Sequence, residues 1–425
     1  MEKFQAPRGT FDVYPNAAEP WQRSHSWVEI EAEFRKHVAL YGYGDIRTPI
    51  FEETEVFTRS AGDTSEVVTK QMYTFKDKGD REMTLRPEGT AGYVRAVIDH
   101  NLCPPGSTVR LAYFTPIFRY ERPQKFRYRQ AHQLGVELLG STSPAADAEV
   151  IELTVRFYER LGLKGITVLL NSIGRDECRA AYRDVILKKA ESYLKDQEAE
   201  DRARMERNPL RLLDSKDPAL QQLLSDIPPI TNYLEETGKQ QFEEVQALLS
   251  AAGVAFTLAP QIVRGLDYYT DTVFEVQSNQ LGAQASLCGG GRYDDLFKRM
   301  GGQQTPAVGM ALGVERALGV LQEQELLSEA PKLDLFVVYT EATKAAAFLL
   351  TRAMRAEGFA CQTDLDSRSL RAQFRLADKS GARLALILGE DEAAKGVVKL
   401  RDLASGDEKD VAREAVGDAV RQSLK

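Results

Sequence analysis

Cysteine and histidine are scarce, four of each among 425 residues. Cys103, Cys178, Cys288 and Cys361 stand singly, with no CxxC pair and no histidine at ligand spacing. Neither a disulfide framework nor a zinc site is expected, and no metal ligand is assigned to Cys or His. The thiols are expected to be reduced and inert. Long apolar runs are also missing: nothing approaches the roughly 18 uninterrupted apolar residues of a membrane span. The longest candidates, Leu333 to Tyr339 and Leu384 to Leu388, have strand length. The N-terminal MEKFQAPRGTFDVYP holds no apolar stretch before a cleavage site, so no signal peptide is expected and the product is expected in the cytoplasm. GxxxxGK(S/T) occurs nowhere, and no GxGxxG opens a helix after a strand, which leaves the P-loop and dinucleotide folds unsupported. No internal repeat or low-complexity tract appears.

What remains is an ordinary globular composition, 43% hydrophobic and 28% charged, at a length that suggests roughly three domains, with two to four allowed. The net charge of -8 excludes a uniformly basic nucleic-acid coat and leaves a local basic surface open. The segment from Pro331 onward is close to neutral, so the acidity belongs to the larger part before it.

Residues 20 to 41 place Trp21, Trp27, Val28, Phe34, Val38 and Tyr41 near helical spacing and stop at Gly42, which predicts an amphipathic helix. YGYGDIRTPIFE follows as an extended segment with Pro49 inside it, and Ser60 to Thr69 reads as a loop. Short β-rich runs recur at Val109 to Phe118, Val136 to Leu139, Ile166 to Leu170, Thr272 to Val276 and Ala285 to Cys288, with helical patterns such as Ala145 to Leu161 between them. They predict an α+β domain on an antiparallel sheet. From about 175 to 252 the sequence turns polar, charge-alternating and helical, broken at Asn208-Pro209 and Pro228-Pro229. That stretch reads as a helical insertion into a domain spanning 1–325. A linker over 326–331 leads to a last unit, 332–425, where strands and helices alternate regularly in the manner of a small α/β domain.

FRYERPQKFRYRQAHQLGVE, Phe118 to Glu137, sets Arg119, Arg122, Lys125, Arg127 and Arg129 against the single Glu121. A hairpin of this kind either grips phosphate through bidentate guanidiniums or is simply a solvated basic tip. RGLDYYTDTVFEV from Arg264 combines an arginine and two tyrosines beside a strand, where a surface Arg over core tyrosines is the alternative. LCGGGRYDDL holds three consecutive glycines, entropically costly unless backbone must approach a ligand or another strand closely. VGMALGVERALGVL carries Glu315 and Arg316 early in a predicted helix, and a lone Arg there is often only a surface residue. In EMTLRPEGTAGYVRAV, Glu88 and Thr90 precede a helix and serve equally as caps or as ligands. His132 has no nucleophile motif beside it and is assigned a structural role.

Together these strings resemble the class II aminoacyl-tRNA synthetases, and within them the bacterial histidyl-tRNA synthetase family, over essentially the whole chain. YGYGDIRTPIFE resembles motif 1 with Pro49 at its dimer-interface position, FRYERPQKFRYRQ motif 2, and GMALGVERAL motif 3. RGLDYY and CGGGRYD are similar to the signatures peculiar to the histidine enzymes. The resemblance implies an antiparallel class II catalytic domain, an insertion over the tRNA acceptor stem, and a C-terminal α/β anticodon-binding domain. It implies ATP and Mg²⁺, L-histidine and a histidine-accepting tRNA as substrates and partners, and a homodimer with no membrane association.

Residue by residue, it implies Arg119 on the ATP α-phosphate and the amino-acid carboxylate, Glu121 on the adenine amino group, and Arg316 on the γ-phosphate and adenine ring. Arg264 would be the catalytic cation at the α-phosphate. Glu88, Gly89 and Thr90 would hold the substrate amino group, and Gln133, Glu137, Tyr268 and Tyr269 its imidazole. Phe126 and Ala131 depart from the pattern, standing where the family commonly has Gly and Phe. In the last domain Arg368, Arg371, Arg375 and Lys379 form a candidate RNA patch or a solvated helix face. A rival is the regulatory subunit of ATP phosphoribosyltransferase, a silent relative that lacks the last domain and degrades these signatures.

Overall fold

Trp27, Ile30, Phe34 and Val38 fall on one stripe of the helix Ser24–Leu40 (α1), which buries all four. The chain then turns at Gly42, in the left-handed region at φ +79°. The computed structural model describes residues 4–62, 65, 67–215, 217–280 and 286–425. The strands that follow are β1 (Gly44–Asp45), β2 (Phe51–Glu53), β3 (Tyr73–Lys76), β4 (Glu82–Leu85), β5 (Val109–Phe118) and β6 (Gln130–Leu139). After them come β7 (Ile166–Ser172), β8 (Phe256–Leu258), β9 (Thr270–Ser278), β10 (Ser286–Arg292) and β11 (Ala307–Gly313). Among the described residues, eight of these form one sheet in the order β1-β5-β6-β11-β10-β9-β7-β8, and β2, β4 and β3 form a small separate one. Within the large sheet only the end pairs β1/β5 and β7/β8 are parallel; the others are antiparallel.

Two strands run well past their expected bounds. β6 begins six residues before Val136, because Gln130 to Gln133 pair in register with Phe118 to Thr115 despite their polarity. β10 runs through all three glycines to Arg292, a stretch with no side-chain signal to betray a strand; Ala285, where the strand was expected to start, lies outside the described residues. The expected loop Ser60–Thr69 is shorter than its composition suggests. Helix α2 (Thr54–Ala61) reaches into it with Phe57, Ser60 and Ala61 buried, and a π-helical turn begins at Val67. Asp63, Thr64 and Glu66 of that loop lie outside the described residues.

Helices α3 (Thr90–Asp99) and α4 (Pro144–Arg160) pack with the sheet; α4 starts on a Ser143 cap with Pro144 in its first turn. The polar stretch after β7 folds as α5 (Asp176–Lys189), α6 (Glu191–Lys195), α7 (Ala199–Arg207), α8 (Pro218–Leu224) and α9 (Glu236–Ala251). Tyr182, Ile186, Leu220 and Ile230 from this stretch share a buried cluster with Tyr268, Tyr269 and Tyr293. Short α10 (Leu296–Arg299) leads to β11, which passes directly into α11 (Val314–Glu323).

The chain divides into compact units at Met1–Ser328 and Glu329–Lys425. The second unit is built from β12 (Leu335–Tyr339), α12 (Lys344–Ala356), β13 (Cys361–Thr363), α13 (Leu370–Ser380), β14 (Leu384–Leu388), α14 (Glu390–Lys395), β15 (Val397–Asp402), β16 (Glu408–Ala412) and α15 (Val416–Ser423). Its sheet order is β13-β12-β14-β15-β16, with the first three strands parallel and the last two added antiparallel. No described helix is long and apolar enough to cross a membrane. The fold is α+β, a large antiparallel-dominated sheet followed by a separate α/β unit. Burial pushes the Cys178 thiol up to about 11 and the Cys361 thiol to about 12, so both stay protonated near neutral pH.

Candidate active site

β6, β10 and β11 lie side by side in the large sheet, and a cavity of about 290 Å³ opens against them. Of the eleven residues to which the resemblance assigns a substrate contact, ten line it: Glu88, Thr90, Arg119, Glu121, Gln133, Glu137, Arg264, Tyr268, Tyr269 and Arg316. Gly89 does not. A Cβ there would come within 2.9 Å of the Tyr93 ring and 3.2 Å of Tyr113, so Gly89 gives clearance for two stacked tyrosines.

One set of lining groups surrounds Glu137. Its register partner on β11 is Gly309, where a Cβ would sit 1.8 Å from the carboxylate; the missing side chain is the room the carboxylate occupies. Thr90 Oγ1 donates to Glu137 Oε1 at 2.9 Å, Tyr113 donates at 3.3 Å, and the Tyr293 hydroxyl donates to Oε2. Burial raises Glu137 to about 8, against the pull of those hydroxyls. At neutral pH the ligand-free site therefore favours a neutral carboxyl that a cationic or N–H-bearing partner would ionise. Tyr268 and Tyr269 are buried, with ring centroids 4.7 Å apart. Gln133 Oε1 is buried and finds no hydrogen-bond partner among the described residues. Glu88 accepts the Thr90 and Ala91 N–H groups at 2.8 Å each, capping α3. The capping reading of Glu88 is thus realised, and the carboxylate lines the cavity at the same time.

The other set is cationic. Arg119 is aimed by its Nε, which donates to the Pro87 carbonyl at 2.7 Å. Arg264 donates to Glu275 at 2.9 Å and lies under Gly289, where a Cβ would fall 1.8 Å from its Nη2. Arg316 donates to the Ser286 carbonyl at 2.6 Å. Burial, and after it the nearby Arg127, pull the Arg316 guanidinium below its ordinary value. Like charges held together in this way are relieved by a bound polyanion. Glu121, paired with Arg127, is the carboxylate among them.

Reading the sequence missed several groups. Tyr293 and Tyr113 bind Glu137, and only Tyr293 had a signal, since it sits inside LCGGGRYDDL. Glu275, the partner of Arg264, looked like any polar strand position. His132, given a structural role, lines the cavity: its backbone N–H and its ring Nδ1–H donate to Glu315 at 3.0 and 2.9 Å, tying β6 to the start of α11. Arg292 of the glycine signature is turned away from the cavity into a buried fork with Asp147, Asp294 and the Ser141 and Ser143 carbonyls. That network pins β10 to α4.

The basic hairpin between β5 and β6 closes through a four-residue turn, with Gln124 and Arg127 exchanging backbone hydrogen bonds of 3.1 and 3.0 Å. Its third residue, Phe126, has φ +59°, where a side chain other than glycine's costs about 1–2 kcal/mol. Phe126 is nonetheless 6% exposed, its ring edge-on to Trp21 at 5.5 Å. Burying an aromatic ring returns about 1.5–3 kcal/mol, enough to hold the strained turn.

The comparisons with known proteins agree with this arrangement. The family model described as Histidyl-tRNA synthetase matches residues 9–317, and the one described as Anticodon binding domain matches 334–423. The histidine–tRNA ligase of Synechococcus elongatus is 46% identical over 409 residues, 96% of this chain and 92% of that one. A second, from Synechococcus sp., is 47% identical over 410 residues with the same coverage. The crystal structure of apo Staphylococcus aureus histidyl-tRNA synthetase superposes with a TM-score of 0.83 at 33% identity, covering 99% of this chain and 100% of that one. A cavity in which a buried, hydroxyl-bound carboxylate faces a cluster of arginines, on a sheet and sequence so matched, places this chain in the histidyl-tRNA synthetase family.

Proposed function

We propose that the chain is an enzyme that activates L-histidine with ATP and then transfers it to the 3′-terminal adenosine of its tRNA. The observation that carries this is one cavity holding both Glu137 in its ring of hydroxyls and the cations Arg119, Arg264 and Arg316. Activation needs no protein nucleophile: a carboxylate oxygen of histidine attacks the α-phosphorus, the bond to the β-phosphate oxygen breaks, and pyrophosphate leaves. Catalysis is then positioning plus stabilisation of charge on phosphoryl oxygens. Arg119, fixed on Pro87, holds the α-phosphate and the substrate carboxylate. Arg264, braced by Glu275, faces the α-phosphate as the catalytic cation. Arg316 takes the γ-phosphate and stacks on adenine, whose amino group goes to Glu121. Glu88 and Thr90 receive the substrate ammonium. Glu137 and Gln133 take the imidazole N–H groups, and Tyr268 and Tyr269 complete the enclosure of the ring. An amino acid without them would leave buried polar groups unpaired, a penalty that can discriminate by about 10⁴ to 10⁵.

Magnesium enters this reading with the nucleotide. Glu88, Glu121, Glu137 and Glu315 are the carboxylates lining the cavity, but among the described residues no three His, Cys, Asp or Glu side chains come together as a metal site, so the donor set does not fit a protein-held ion. Phosphate oxygens and water supply the ligands instead. The last unit, 332–425, binds the anticodon. In its proposed patch Arg371, Arg375 and Lys379 are exposed along α13, whereas Arg368 is engaged by Asp364 and Asp366. The helical stretch 175–252 lies over the acceptor stem, and the enzyme acts in the cytoplasm. A silent regulatory role in ATP phosphoribosyltransferase is less well supported, because the last unit and all three arginines are present. ATP–pyrophosphate exchange tested against all amino acids decides the matter: exchange with histidine alone is expected, and exchange with another amino acid or none overturns the reading.

The chain works as a homodimer through the segment resembling motif 1, where Ile50, Phe51 and Phe75 stand exposed on and beside the small sheet. Light scattering at micromolar concentration should give twice the 47.4 kDa chain mass, and a value near one chain mass would refute the dimer.

A further inference from the structure

We propose that Phe126 is a positioning residue that pins the turn Gln124–Arg127 onto α11 in the ligand-free protein, so that Glu121 and Arg127 stand beside Arg316 before ATP arrives. The ring lies over Gly319, where a Cβ would come within 2.5 Å of it. Gly319 is three residues after Arg316, hence on the same face of α11. Two further contacts draw the same parts together. Lys125 reaches Glu323 of α11 at 2.8 Å, and Gln322 accepts the backbone N–H of Trp21, the residue whose ring meets Phe126, at 3.0 Å. A residue in the left-handed region persists only where its surroundings over-determine it, and here they are the helix that carries Arg316. Arg127 in turn holds Glu121, so docking the ring places both loop residues at the cavity wall. A loop left free would dock in only a fraction of molecules and would weaken apparent ATP affinity by that fraction.

The inference rests on the ATP reading above, and its test separates the two. Wild type, Phe126→Gly, Gly319→Ala and the double variant are compared by the ATP KM and kcat of histidine-dependent pyrophosphate exchange, and by tryptophan emission without ligand. Only Trp21 of the two tryptophans has a ring contact with Phe126 among the described residues. Phe126→Gly should raise the ATP KM about tenfold, as for a loop docked in about a tenth of molecules, with kcat and histidine KM within about twofold. Gly319→Ala should do the same by displacing the ring, and both should shift Trp21 emission. The double variant should be no worse than Phe126→Gly, because the new methyl enters space the ring has left. Phe126→Leu, which keeps apolar contact at the same φ, should fall between. An unchanged ATP KM in Phe126→Gly, or additive effects in the double variant, would overturn the proposal. A wild type without exchange would instead sink the functional reading, and additivity or its absence in the Trp21 emission would still judge the contact.

Discussion

Glu137 shows how a single side chain's environment can set a binding profile. Its raised value near 8 and an ordinary imidazole value near 6.5 leave one shared proton on the pair between those limits. Below about 6.5 a proton must be shed for histidine to bind, and above about 8 one must be taken up, so affinity should peak between. Glu137→Gln should remove the alkaline limb and lower the peak affinity by about 1.5–3 kcal/mol, measured by calorimetric titration across pH; an unchanged Kd would take Glu137 out of the pocket. The same shift bears on stability. A carboxyl raised on folding favours the fold below its unfolded value near 4.5, and that contribution is lost as pH climbs through about 8. Arg264→Ala removes the cation proposed to act at the α-phosphate, and exchange kcat should fall by about 10² or more with little change in histidine KM, since one such donor is worth ~2.7–4 kcal/mol. Lysine should restore only part, lacking the planar fork. Near-normal kinetics would assign Arg264 to structure alone.

The elements set these side chains in place through what they omit. β10 and β11 carry glycines where the site needs space: Gly289 above Arg264, Gly309 above Glu137, and Gly290 against the Gly309 carbonyl and the Phe274 ring. Gly289 has no positive φ, so alanine is acceptable to its backbone. Its clash is with the end of a flexible side chain. Gly289→Ala should therefore keep the thermal midpoint within a few degrees while lowering exchange kcat in the manner of Arg264→Ala, and the double variant should be no slower than Arg264→Ala alone. A full-rate Gly289→Ala variant would show that Arg264 need not lie where it does. β6 contributes differently, by pairing its polar first half with β5 so that Gln133 faces the cavity while Leu134 and Val136 enter the core.

At the scale of the whole molecule, the proposed chemistry lies entirely in one compact unit. Every group proposed to touch ATP or histidine precedes Ser328, where the first unit ends. A chain ending at Ser328 should fold, bind histidine and exchange pyrophosphate, while aminoacylation of tRNA should fall far more, because the anchoring energy of the last unit is lost. Truncated protein that charges tRNA at the full rate would refute the anticodon-binding assignment.

Much was legible without coordinates. Amphipathic α1, the alternation of strands and helices after residue 332, and the clustered arginines and glycine signature all depend on local pattern, and local pattern is written along the chain. Ten of the eleven residues given a substrate contact line one cavity, and their motifs are contiguous strings, each running along one element or across the turn between two successive ones. Other features could not be read that way. Tyr113 and Tyr293 meet Glu137 only because β5 and β10 lie on either side of the β6/β11 pair, and Arg292 points away from the cavity because Asp147 of α4 lies within its reach. Phe126 looked only like a departure from pattern until the fold set Trp21 and Gly319 around it. Sequence determines which chemistry each element carries. Only the tertiary structure decides which elements meet, because contacts across a sheet depend on register and on the space its glycines leave, and neither is a property of any single segment.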